Sequence, residues 1–342
     1  MLIVAAVGPG RCQVKCTGFQ RNIEGRSFAL RRPAVLLTRR IPSAVLQKLE
    51  SACEVELYDG PSPPAPEDLI RHLPGKRALI CLLTDSVTAE VLDAAPDLEI
   101  VATIAVGYDN IDIAHAKRLG IVVTNTPDVL TEAVAELTWG LILSIARRLG
   151  EGERLVRRGE WKGWALDFML GTELRRRQLG IIGRGRIGTA VAARAPAFGM
   201  GAVFAARPGR RPAQDERSFD ELLVTSDVIT LHVPQDPSTH HLFNRRTFAR
   251  MKRTAFLVNT SRGPVVDEEA LAWALQERLI AGAALDVYER EPQIHPALLT
   301  MERVVLAPHL GSATTETRTA MADLAVRNVL AVLEGGLPVT PV

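Results

Sequence analysis

From Pro33 onward, short runs of aliphatic and β-branched residues alternate with segments whose apolar positions recur at helical spacing. The first runs are AVLL (34–37), ALICLL (78–83), LEIVATIAV (98–106) and GIVVTNT (120–126), with helical spacing at 43–52 and 87–94. Strands alternating with helices predict a parallel sheet covered on both faces. PSPPAPEDL (61–69) reads as a proline-rich loop entering a helix. LTEAVAELTWGLILSIARRLGEGERLV (130–156) reads as one long helix with Thr131 as its N-cap. It is apolar over much of its circumference, which predicts burial. A second alternating series follows: QLGIIG (178–183), AVFAA (202–206), DVITLHV (227–233), AFLVNT (255–260), AGAALDV (281–287) and VVLAP (304–308). Helical segments at 187–198, 219–225, 244–252 and 267–278 separate these strands, and a last helix, 313–334, stops at Gly335 and Gly336. The chain thus reads as two α/β units. They are not sequence repeats, because only the second has a glycine-rich first turn.

A length of 342 residues suits two domains, and 47% hydrophobic with 23% charged residues allows a sizeable core. No apolar run approaches the roughly 20 residues that span a bilayer. The net charge of +2 is uneven: residues 1–32 carry +5 and the remainder −3. A mildly acidic body argues against a nucleic-acid binder. Residues 1–32 lack the basic start of a secretory signal. Their Arg-rich, acid-poor character allows a transit peptide, but a disordered extension or an upstream start codon is the favoured reading. Cys53 and Cys81 sit in apolar segments and read as core. Cys12 and Cys16 have no second Cys/His pair nearby to complete a metal site, so no metal is expected. So few cysteines suit a reducing compartment, the cytoplasm.

LGIIGRGRIG carries the pattern Gly183-x-Gly185-x-x-Gly188 after an apolar strand and at the start of a helix. That context turns a weak motif into a dinucleotide-binding signal. Gly183 allows the tight turn, Gly185 lets a pyrophosphate approach the backbone, and Gly188 lets helix and strand pack. The Arg186 and Ile187 amides, at the helix N-terminus, face the phosphates. An acid that holds the adenosine ribose is expected at the end of the next strand. FAARPGRR has Ala206 there, followed by Arg207, Arg210 and Arg211. Without the carboxylate, Arg207 is free to pair with a ribose 2′-phosphate, so NADP(H) is favoured and NAD(H) remains admissible.

Further polar residues stand at strand ends: Arg262 in NTSRGPVV, Asp286 and Glu291 in ALDVYEREP, and His309 in APHLGSAT. Ligands of open α/β sheets sit beyond the carboxyl ends of strands, so all point at one crevice. The blocks AVGYDNID (105–112), TPDVLTEAVAEL (126–137), LGIIGRGRIG, LHVP (231–234), LVNTSRGPVVDEEAL (257–271), GAALDVYEREP (282–292) and PHLGSAT (308–314) resemble the D-isomer-specific 2-hydroxyacid dehydrogenase family. The resemblance covers nearly all of the chain beyond residue 32. Within the family, CLLTDSVTAEVLDAA (81–95) and the ribose-site arginine look most like the glyoxylate/hydroxypyruvate reductases.

The resemblance implies two Rossmann-like doubly wound domains. A cofactor domain (131–312) would be inserted into a discontinuous substrate domain (33–130 and 313–342). It implies Arg262, Glu291 and His309 as catalytic residues. His309 would donate the proton to the substrate carbonyl, and Glu291 would hold its tautomer and favour its charged form. Arg262 would bind the substrate carboxylate together with the Val106 and Gly107 amides. Pro234, Thr260 and Asp286 would join the cofactor site, Asp286 by accepting from the nicotinamide. A small 2-keto acid, a homodimer, and neither membrane nor nucleic acid as partner complete the expectation. Two departures from the family pattern are Ala105, where the loop usually has glycine, and Arg–Arg before the strand at 178 in place of Gly–Lys. Trp161 and Trp164 lie where related reductases meet the partner subunit, though core packing is the plainer reading of both. Phosphoglycerate-type, phosphite and formate dehydrogenases share the scaffold, and so does a nucleotide-sensing corepressor, a binding protein with little turnover.

Overall fold

The structure, a computed structural model, describes residues 32–207, 209 and 211–342. The readings of residues 1–31, of Cys12 and Cys16, and of Arg210 fall outside the described residues. The first sheet comprises β1 (Ala34–Leu37), β2 (Glu54–Leu57), β3 (Ala78–Cys81), β4 (Ile100–Thr103) and β5 (Val122–Thr124) in the order β2-β1-β3-β4-β5, all parallel. The second comprises β6 (Gln178–Ile182), β7 (Gly201–Ala205), β8 (Glu216–Arg217), β9 (Val228–Leu231), β10 (Phe256–Asn259), β11 (Gly282–Leu285) and β12 (Val304–Leu306). Its order is β12-β11-β10-β9-β6-β7-β8, again all parallel.

Both sheets are buried on two faces, which is why their strands read as continuous apolar runs. In the first, Val35, Leu37, Ile80 and Ile100 face one core with Val45, Leu49, Val326 and Val329, while Leu36, Leu79 and Val101 face another with Leu69, Leu73 and Leu92. The helix Thr315–Leu333 therefore returns to pack on the first sheet. In the second, Ile229, Leu231 and Leu257 face one layer, and Leu179, Ile181 and Val258 face the layer of the helix Thr131–Ala146. Strand order reverses at β6, between β7 and β9. That switch point opens a crevice beyond the carboxyl ends of the strands.

The 130–156 segment departs from expectation. It forms two helices, Thr131–Ala146 and Leu149–Arg157, and the position before the first is Leu130, with no side-chain cap. Arg148 turns the chain at φ +56 and clamps Glu151 with two bonds, Nε at 2.8 Å and Nη2 at 2.5 Å. Gly150 and Gly152 lower the helix propensity that would oppose this break. The first helix is buried as expected; the second has no buried residue. Trp161 and Trp164 are exposed, so the core reading of both is corrected. Cys53 and Cys81 are both buried in the core. Among the described residues no helix is long and apolar enough to cross a membrane, and no group of three His, Cys, Asp or Glu could hold a metal ion.

Candidate active site

The glycine turn opens the crevice. Gly183 sits at φ +106, and a Cβ there would collide with the carbonyl of His232 at the end of β9. Gly188 packs its Cα under the Gly183 carbonyl, so helix Arg186–Arg194 starts flush against the sheet. Beside Gly185 there is open space. The first-turn amides of a helix have no acceptor within it, so those of Arg186 and Ile187 are available to an anion at this helix start. A dinucleotide's pyrophosphate fits this bed: close backbone approach, amide donors and no intruding side chain. The Arg186 side chain itself reaches Asp128 at 2.5 Å.

Arg207 and Arg211 are exposed on the loop after β7. A residue that sequence reasoning missed lies in the glycine turn, between Gly183 and Gly185. Arg184 stacks its guanidinium 4.8 Å from the Phe204 ring centre and pairs with Asp215 at 2.6 Å and Glu216 at 3.3 Å. Pro234 follows β9, and its carbonyl accepts from Thr239 at 2.7 Å. His232, just before it, is neutral: burial pulls its pKa down to about 3. Thr260, at the end of β10, meets the Thr138 hydroxyl of the buried helix at 3.0 Å.

The catalytic candidates converge from three strand ends. Asn259 builds the turn that presents Arg262: its Oδ1 accepts from the Ser261 amide at 3.0 Å, and its Nδ2 donates to the Arg262 carbonyl at 2.9 Å. Arg262 Nη1 donates to the Ser261 carbonyl at 3.0 Å, and Nε to Asp109 Oδ1 at 3.1 Å. The guanidinium therefore lies across Gly107, where any Cβ would strike Nη2. Asp109 was not foreseen, because its partner is 153 residues away.

Beyond β11, buried Asp286 accepts from the Leu310 amide at 2.6 Å and the Gly311 amide at 2.8 Å, and its carbonyl accepts from His309 N at 2.9 Å. Burial pushes its carboxyl pKa up, against those two amides. Asp286 thus shapes the turn in which His309 sits at φ +53. His309 Nδ1 meets Glu291 Oε2 at 2.9 Å, and Glu291 Oε1 accepts from the Tyr288 amide at 3.0 Å. Burial alone would raise the Glu291 pKa. The His309 hydrogen bond and charge, the Tyr288 amide and the Arg262 charge outweigh it and hold the carboxyl below its ordinary value. With Nδ1 engaged, Nε2 is the nitrogen left to face the crevice. The Arg262 charge acts on Glu291 in the same direction as the His309 contact.

The family model described as "D-isomer specific 2-hydroxyacid dehydrogenase, NAD binding domain" matches residues 139–311. The glyoxylate reductase of Thermofilum pendens is 47% identical over 317 residues, covering 90% of this chain and 93% of that protein. This chain belongs to the D-isomer specific 2-hydroxyacid dehydrogenases. It is an NAD(P)-dependent oxidoreductase. Among solved structures, a Thermus thermophilus protein superposes on this dehydrogenase with a TM-score of 0.86 at 45% identity, covering 90% of this chain and 99% of that one. An NADPH-dependent glyoxylate/hydroxypyruvate reductase from Sinorhizobium meliloti, in complex with NADP and malonate, has a TM-score of 0.80 at 36% identity, covering 91% and 97%.

Proposed function

We propose that this dehydrogenase reduces a small 2-keto acid of the glyoxylate or hydroxypyruvate type to the D-2-hydroxy acid, with NADPH preferred over NADH. The observation that carries this reading is the crevice itself. An imidazole is fastened at Nδ1 by an ionised Glu291 and open at Nε2, and a guanidinium is held flat over Gly107 beside it. The Thermofilum relative's name and the S. meliloti complex with NADP and malonate agree with it.

When bound in the crevice, the nicotinamide would supply the hydride that reduces the carbonyl carbon. His309 Nε2 donates the proton that the carbonyl oxygen needs as negative charge develops there. Glu291 keeps Nδ1 protonated and stabilises the charged imidazole before transfer. Arg262 pairs with the substrate carboxylate and polarises the carbonyl, with the Val106 and Gly107 amides on the other side. Among the described residues, neither of those amides donates a hydrogen bond within the protein. Asp286 contributes by fixing the His309 turn and orienting the nicotinamide side of the crevice. The Gly183–Gly188 turn and the Pro234 and Thr260 segments line the dinucleotide bed. In the reverse direction His309 acts as base. The test is absorbance at the reduced-nicotinamide band with glyoxylate, hydroxypyruvate and larger 2-keto acids. Absence of oxidation with all of them defeats the 2-keto acid reading.

The NADPH preference rests on Ala206, which leaves no carboxylate at the ribose, and on Arg207 next to it. Asp215 and Glu216 do not substitute for that acid, because both are engaged by Arg184. Arg207→Ala is expected to lower kcat/KM with NADPH by roughly tenfold, on the order of one charge-assisted hydrogen bond, and to leave NADH nearly unaffected. An unchanged NADPH/NADH ratio removes the ribose argument.

The enzyme works as a homodimer in this reading, in the cytoplasm, a reducing compartment that suits a chain with few cysteines. Leu149, Val156, Trp161 and Phe168 line an open groove of about 700 Å³, and Trp164 and Leu166 are each 82% exposed. An apolar patch of this kind marks an association surface, and it joins the helix that failed to bury itself. Light scattering is expected to give twice the chain mass; a monomer at assay concentration contradicts it.

A further inference from the structure

The backbone that offers the Val106 and Gly107 amides is pinned from behind. The Ala105 carbonyl accepts from the Thr126 amide at 2.8 Å, and the Val106 carbonyl accepts from Asn125 Nδ2 at 2.8 Å. A trans peptide is planar, with its C=O and N–H pointing in opposite directions. Drawing these two successive carbonyls toward residues 125–126 therefore turns the next two amides, those of Val106 and Gly107, the other way. The Arg262 guanidinium lies against this same backbone, where a Cβ on Gly107 would strike Nη2.

Asn125 is in turn held by a segment distant in sequence. Its carbonyl accepts from the Thr340 hydroxyl at 2.6 Å, and its amide donates to the Thr340 carbonyl at 3.3 Å. The segment is fixed by Asn328, fully buried in the helix Thr315–Leu333. Asn328 Nδ2 donates to Thr340 Oγ1 at 2.8 Å, and its Oδ1 accepts from the Val339 and Thr340 amides at 2.8 and 2.9 Å. Thr124 pairs with Pro341, and the Val342 amide donates to the Val123 carbonyl at 3.0 Å, so the segment runs along β5. A buried amide side chain with its donor and acceptor both satisfied is a rigid support.

We propose that Asn328, Thr340 and Asn125 form a relay that positions the Val106–Gly107 amides for the substrate carboxylate, with Asn125 as the positioning residue. This rests on the reading that those amides bind the carboxylate. The relay ends on the Val106 carbonyl, so it acts through those amides on the keto acid rather than on the nicotinamide.

Asn125→Asp is isosteric, removes the donor to Val106 and sets a charge against its carbonyl. It is expected to raise KM for glyoxylate about tenfold, in line with one lost hydrogen bond, with a smaller change in kcat and an unchanged KM for NADPH. Thr340→Val, also isosteric, removes the hydroxyl and is expected to raise KM in the same direction. Thr340→Ser keeps the hydroxyl and restores the wild-type KM. This pair carries the test if Asn125→Asp fails to fold. Melting temperature is followed in parallel: variants that lose stability but keep KM within twofold overturn the relay. A rise in KM for NADPH equal to that for glyoxylate also overturns it. Wild-type enzyme that reduces no 2-keto acid defeats the underlying reading instead, before any variant is compared.

Discussion

Replacing His309 with asparagine is expected to lower kcat for 2-keto acid reduction by about 10²–10⁴-fold, the usual contribution of a positioned general acid. Asparagine keeps a polar group of similar reach, so the turn built by Asp286 on the Leu310 and Gly311 amides should persist. What it removes is the proton delivered at Nε2. NADPH affinity should stay near wild type, because the dinucleotide bed is formed by other elements. Glu291→Gln should cost less, since Glu291 acts through the imidazole at 2.9 Å rather than on the substrate. A control comes from the fold itself. His241 Nε2 pairs with Glu289 at 2.8 Å, another His–carboxylate contact. The His241 amide donates to the Pro264 carbonyl at 2.8 Å, on the segment after Arg262, so the pair is joined to the Arg262 turn without supplying a strand-end acid. His241→Asn should therefore leave kcat within a few-fold, an order-of-magnitude expectation for a group outside proton transfer. His232 is no alternative acid, because burial keeps it neutral. Retention of more than about a tenth of wild-type kcat in His309→Asn would place the proton source elsewhere.

Most strands were legible because doubly buried parallel strands write uninterrupted apolar runs. Those that were not legible are edges. β2 reads EVEL, with Glu54 exposed and the rest half-buried, and β8 is two residues paired only to β7. The break at Arg148 left no proline or Gly–Pro signal; it is set by a left-handed residue and a local ion pair. In the crevice, residues announced by strand ends were found at strand ends: Arg262 after β10, Asp286 after β11 and His309 after β12. Their supports were silent. Asp109 lies 153 residues from Arg262, and Asn125 lies 215 residues from Thr340. No spacing along the chain encodes such contacts; the second exists only once the helix Thr315–Leu333 has returned to the first sheet. Arg184 hid for a different reason: it occupies a variable position of the glycine motif, where the pattern asks nothing of the side chain.

Changing Arg262 to lysine is expected to lower kcat/KM for the keto acid by roughly 10²–10³-fold, comparable with losing a preorganised donor to a developing oxyanion. Charge alone does not rescue the site. The guanidinium is planar and already committed at two of its nitrogens, Nε to Asp109 at 3.1 Å and Nη1 to the Ser261 carbonyl at 3.0 Å. Those two bonds fix the plane, so that Nη2 is delivered over Gly107 without further ordering. Lysine is a point donor on a flexible stem and has no fork to hold. It also leaves Asp109 without its partner, and the stray carboxylate then stands near the incoming substrate carboxylate. Asp109→Asn in the Arg262→Lys background separates the two effects. If the lost fork dominates, the double variant stays as slow as the single one. If repulsion from Asp109 dominates, activity returns toward wild type. Steady-state kinetics with glyoxylate and NADPH read both, and a lysine variant within tenfold of wild type would remove Arg262 from the role assigned to it.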